Sequence, residues 1–142
     1  MANEEKTILN RILTQLRNID GTTGWNTDIS DYVEDVFSPL EKVNRFPMVC
    51  VAGIDMAEAD PRRRKYYELP LTIELMGYAK HETNPLNAIL DLLSDVRRSI
   101  TQDEHLNSLA TQLTFSYLTG VYDGKGLLSF SIHCRGHIKG TD

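Results

Sequence analysis

Apolar residues recur along this chain with two different periods, and the change from one to the other marks out its elements. Over residues 4 to 19, Ile8, Ile12, Leu16 and Ile19 repeat at helical spacing, and Leu9 and Leu13 widen the stripe. An amphipathic helix is expected there. Glu4 and Glu5 suit the positive end of its dipole, and Gly21 stands where a C-terminal cap is expected. The turn-rich "GTTGWNT" follows. "DISDYVEDVF" fits either a short helical face or a strand, and is read as a loop with a short ordered piece.

The period then changes. "MVCVAGI", residues 48 to 54, is apolar on both faces, which predicts a strand covered on both sides, with Pro47 just before it. In "YYELPLTIELMGYAK", Tyr67, Leu69, Leu71, Ile73 and Leu75 alternate with Glu68, Thr72 and Glu74. Pro70 cannot donate to a ladder, so the start of this run is an edge, a bulge or a separate arm. A second helix begins at Pro85, capped by Thr83 or Asn84, with Leu86, Ile89, Leu90, Leu93, Val96 and Ile100 as its apolar face. Arg97 and Arg98 complement its C-terminal end. "TQLTFSYL" and "LLSFSIHCRGHI" alternate again around "YDGKG", where Asp123-Gly124 signals a hairpin; Leu113, Phe115 and Tyr117 match Leu128, Phe130, Ile132 and Cys134 in pattern.

The order helix, two strands, helix, two strands predicts an α+β fold: a mainly antiparallel sheet of four to five strands, built from two hairpins, with both helices on one face. At 142 residues the chain suits one domain, and 41% hydrophobic with 25% charged residues is a globular composition. No apolar run is long enough to span a bilayer, and the acidic start does not resemble a secretory signal. Cys50 and Cys134 lie far apart within apolar or alternating runs, so reduced, buried thiols are expected.

Against a net charge of −5, one feature stands out: Arg62, Arg63, Arg64 and Lys65 in "ADPRRRKYYEL", at the tip of the first hairpin, a loop at about residues 55 to 66. Four cations at one point suit an acidic protein surface or a DNA backbone, above all if copies of the chain form a ring; they also suit a solvated loop that keeps a sheet edge soluble. Tyr66 and Tyr67 beside the tip, and Trp25, are candidate subunit-interface residues. Trp25 could equally cap a core edge.

Metal and catalytic chemistry find little support. His133 and His137 on a strand would lie about 13 Å apart, since each residue rises about 3.3 Å, and Cys134 would face the other way. Asp55, Glu58 and Asp60 lack the ligand spacing of a calcium loop. Asp91, Asp95 and Arg98 read as an ordinary polar helix face. The chain has no phosphate-binding loop, serine elbow or oriented Cys-His pair, so no cofactor and no enzymatic activity are expected.

An N-terminal amphipathic helix, then "RFPMVCVAG", "YYELPLTIELMGYAK", a leucine-rich helix and "LATQLTFSYLTGVYDGKGLLSFSIHCRG" together resemble the tail terminator proteins of tailed bacteriophages. The likeness covers nearly the whole chain, in element order and hydrophobic pattern. It implies a structural protein of the virion tail or neck, assembled in the host cytoplasm. Such a protein forms a hexameric ring that caps the tail tube, stops its polymerisation and joins the tail to the head connector. The implied partners are copies of itself, the tail tube and possibly sheath protein, the head-tail connector or neck protein, and possibly packaged DNA in the channel; no membrane is involved. The alternatives are another phage neck or head-tail joining protein, or a small α+β binding module unrelated to phage.

Overall fold

The computed structural model describes residues 4–22, 24–56, 66–102 and 110–139. Its elements run α1 (Glu4–Leu16), β1 (Val33–Glu34), β2 (Met48–Met56), β3 (Tyr66–Lys80), α2 (Pro85–Thr101), β4 (Ala110–Tyr122) and β5 (Lys125–Lys139). The strands form one five-stranded sheet in the order β1-β2-β3-β5-β4, antiparallel except where β1 runs parallel to β2. This is the expected α+β fold with its two hairpins, β2–β3 and β4–β5. At the second turn Asp123 and Gly124 both have positive φ, 53° and 74°, the geometry whose twist matches the flanking strands.

Register explains how each face is filled. Val49 and Val51 on β2 lie in line with Gly77 and Leu75 on β3 and with Leu128 and Phe130 on β5. Side chains alternate along a strand, so these residues share a face. They form one core with Ile8, Ile12, Leu13 and Leu16 of α1 and Ile89, Leu92, Leu93, Val96 and Ile100 of α2. Gly77 lets α2 come close: a Cβ there would sit 3.0 Å from the Leu92 side chain.

Among the described residues the opposite face is covered only at one end. There Met48, Cys50 and Tyr78 are buried beneath Tyr32, Leu40, Val43 and Phe46. The Tyr78 hydroxyl donates to the Ser38 carbonyl at 2.7 Å, tying that cover to β3. The expected double covering of β2 therefore holds over Met48–Val51, and the chain supplies it itself. It fails beyond that point. A bulge at Ala52 shifts the register, and Ile54 is left exposed.

Three further expectations change. α1 ends at Leu16 rather than at residue 19: tight turns bring Ile19 N to the Leu16 carbonyl, so Ile19 reaches the core from outside the helix and Gly21 is not its cap. "DISDYVEDVF" is a loop whose short ordered piece is β1, held by Val49 N donating to the Tyr32 carbonyl at 3.0 Å. The buried face of α2 runs through Ile89, Leu92, Leu93, Asp95, Val96, Ser99 and Ile100, while Leu86 and Leu90 lie exposed. Both point toward the β4 side, the same side as Arg97, which contacts Tyr117 on β4.

Candidate assembly surface

Arg62, Arg63, Arg64 and Lys65 lie outside the described residues, as do Glu58 and Asp60. Tyr66 and Tyr67 open β3, opposite Lys139 and Ile138 of β5. The described part of β2 ends opposite Leu71, and β4 begins opposite Gly136, itself the partner of Leu69. From Glu68 outward, β3 and β5 thus continue as a two-stranded ribbon among the described residues. Pro70 pairs only on its β5 side there, the arm-like placement its missing N–H suits.

Trp25 is half-buried against the main core. The Arg98 guanidinium sits 4.5 Å from its ring centre and donates to the Gly24 carbonyl at 2.8 Å. Asp95 anchors the same loop from below. Only 1% exposed, it accepts from Asn26 N at 3.1 Å, Thr27 N at 2.7 Å and Thr27 Oγ1 at 2.6 Å. Asp95 is thus no part of a solvated helix face. A buried carboxylate needs such donors, and a turn with free N–H groups needs an acceptor.

His133 faces the open side of the sheet. Its Nδ1 lies 3.1 Å from Thr72 Oγ1 and its Nε2 3.3 Å from Ser116 Oγ. A hydroxyl therefore stands where a nucleophilic triad would place an orienting carboxylate, and the histidine is exposed on a strand rather than in a cleft. His137 lies further along β5, opposite Glu68. Among the described residues no group of three metal-ligating side chains comes together.

A pocket of about 250 Å³ opens beside β1, lined by Tyr32, Glu34, Val36, Lys42, Val43 and Arg45 among others. The Arg45 guanidinium lies 5.3 Å from the Tyr32 ring centre. Val36 in its lining and the next residue, Phe37, are 69% and 49% exposed. The exposed carboxylates Asp31, Glu34 and Asp35 share this edge.

The feature that sequence reasoning missed lies at the other end of the sheet. Among the described residues β4 has a strand on one side only. Leu118 and Tyr122, 74% and 68% exposed, project from its open face; Tyr117 and Val121, 46% and 49% exposed, project from the other. Natural edge strands are protected by charge, proline, shortness or irregularity. β4 is thirteen residues long with no charge and no proline, and its one register shift lies at its start. The signal was present in "SYLTGVY", where Leu118 and Tyr122 break the alternation of Leu113, Phe115, Tyr117 and Val121.

Among the described residues no helix is long and apolar enough to cross a membrane. Compared with models of known protein families and with curated proteins, the chain matches none.

Proposed function

We propose that this chain is a non-enzymatic building block that completes its surface against copies of itself, acting as a ring-forming tail terminator of a tailed bacteriophage. In that role a ring of subunits, six by the resemblance, caps the tail tube, stops its growth and presents a face to the head connector. The observation that carries the reading is the long, uncharged edge strand β4 with large apolar side chains exposed on both faces. An isolated molecule leaves that edge in water, whereas an assembled one buries it. The resemblance in element order, from "RFPMVCVAG" to the closing hairpin, supplies the kind of assembly. The basic run from Arg62 to Lys65 would be repeated around such a ring as a belt of positive charge, suited to a tube, a connector or DNA.

Native mass spectrometry and negative-stain microscopy of the purified protein test this. Closed rings are expected, and their binding to tail-tube ends should stop further polymerisation. A chain that stays monomeric at high concentration overturns the reading.

A further inference from the structure

The sheet has two exposed apolar edges that differ in charge. At the β4 end, Lys125 and Tyr122 lie side by side on one face, which Leu118 shares; Lys80 on β3 continues the row inward, its ammonium 5.9 Å from the centre of the Phe46 ring of the cover. Arg97 flanks the other face, donating to the Tyr117 hydroxyl at 3.0 Å. Lys125 lies 3.9 Å from Asp123 at the hairpin turn. At the β1 end, Val36 and Phe37 are exposed beside the carboxylates Asp31, Glu34 and Asp35, while the cations Lys42 and Arg45 stand in the pocket that Val36 and Glu34 line, Arg45 against the Tyr32 ring.

From this complementarity we infer that the β4 edge of one copy, through Leu118 and Tyr122, docks against the edge spanning residues 31 to 37 of the next copy. The inference rests on the ring reading and specifies its contact. Two chains of net charge −5 repel one another. Placing Lys125 and Arg97 opposite Asp31, Glu34 and Asp35 offsets that repulsion where the surfaces meet. Pairing β4 with β4 would bury one apolar edge and leave Val36 and Phe37 in water. The head-to-tail contact covers both edges of every chain, and because its two surfaces differ, repeating it closes a ring or propagates a filament.

The test uses two full-length double variants, each disabling one edge: Leu118→Lys with Tyr122→Lys, and Val36→Lys with Phe37→Lys. All four residues are exposed, so both variants should fold, with an unchanged thermal midpoint as the check. Each alone should run at the mass of one chain, 16.1 kDa. An equimolar mixture should run at twice that mass, because one intact β4 edge then meets one intact partner edge and nothing remains to extend the chain. If a lysine pair fails to fold, the corresponding serine pair is read in its place.

Assembly of either variant alone overturns the inference, and dimers of the Val36/Phe37 variant alone would assign the contact to β4 against β4. A mixture of folded variants that stays monomeric overturns the inference as well. Rings from the unaltered chain together with any of these results leave the ring function standing and reject only the contact. A monomeric unaltered chain rejects both.

Discussion

The Asp95 carboxylate of α2 accepts two hydrogen bonds from one residue, from Thr27 N at 2.7 Å and Thr27 Oγ1 at 2.6 Å, across 68 positions of sequence. This contact holds the loop carrying Trp25 onto the second helix. Charge-assisted bonds to a buried acceptor are among the stronger single contacts, and removing the acceptor strands its donors. Asp95→Ala should cost about 3 kcal/mol, read from urea denaturation, and Asp95→Asn clearly less because an amide oxygen still accepts. Trp25, the sole tryptophan, should report the loosened loop as a shift in fluorescence before global unfolding. Equal stability of the alanine variant and the parent would contradict this.

Two glycines on neighbouring strands should respond in opposite ways. At Gly126 an added Cβ would meet Ile89 Cβ at 2.6 Å and the Pro85 carbonyl at 2.7 Å, so the first turn of α2 would have to lift off the sheet. Gly126→Ala should therefore destabilise by about 2 kcal/mol, as overpacking does. At Gly120, on the edge strand, nothing lies within 4 Å of the added atom. Gly120→Ala should be neutral or slightly stabilising, since the backbone loses freedom in the unfolded chain without strain in the folded one. Thermal melts of the pair decide it.

Burial pushes the Tyr78 hydroxyl up from its ordinary 10.0 to about 12. Raised in the folded state, this group contributes stability that is fully present below pH 10 and is lost as pH climbs toward about 12. The unfolded chain releases the proton first. Unfolding free energy should fall across that window, and Tyr78→Phe should flatten the fall. Near neutral pH the same variant should cost about 1 kcal/mol, the worth of its hydrogen bond to the Ser38 carbonyl. An identical alkaline slope in parent and variant would remove Tyr78 as its source.

Cys50 is fully buried, and burial raises its thiol above the ordinary 9.0. Its Sγ lies 3.9 Å from the same Ser38 carbonyl that Tyr78 engages. A thiol reagent acts on the thiolate, so labelling of Cys50 should wait for opening of the 32–46 cover or of the whole domain. The rate should rise with urea in step with the unfolded population, followed at Cys50 by peptide mapping. Fast labelling in native buffer would show that the cover is not closed.

Much of the fold was legible because it depends on local chemistry. Proline and asparagine at the head of α2, Asp123-Gly124 at the second hairpin and strict alternation along β3 each act within a few residues. Each appears as read: Asn84 Oδ1 accepts from Asn87 N at 3.1 Å, and Ile73 and Leu75 point into the core. The pairing of Phe115 with Ile132 and Tyr117 with Phe130 follows from the same alternation. The assembly surface was harder to see. Leu86 and Leu90 continue the apolar stripe of α2 as well as Leu93 does, and periodicity cannot say where the sheet beneath a helix stops.

The sequence by itself therefore determined the elements, their order and the pairing of each hairpin, because turns, caps and alternation are short-range. Only the tertiary structure decided which strand became the outer edge. The α2 crossover sets β5 rather than β4 beside β3, and that exposes Leu118, Val121 and Tyr122. Tertiary packing likewise made Asp95 a buried anchor, because only the folded chain brings a loop 68 positions away to its carboxylate. Exposure and partnership arise from contacts between distant segments, and no single window of residues contains them.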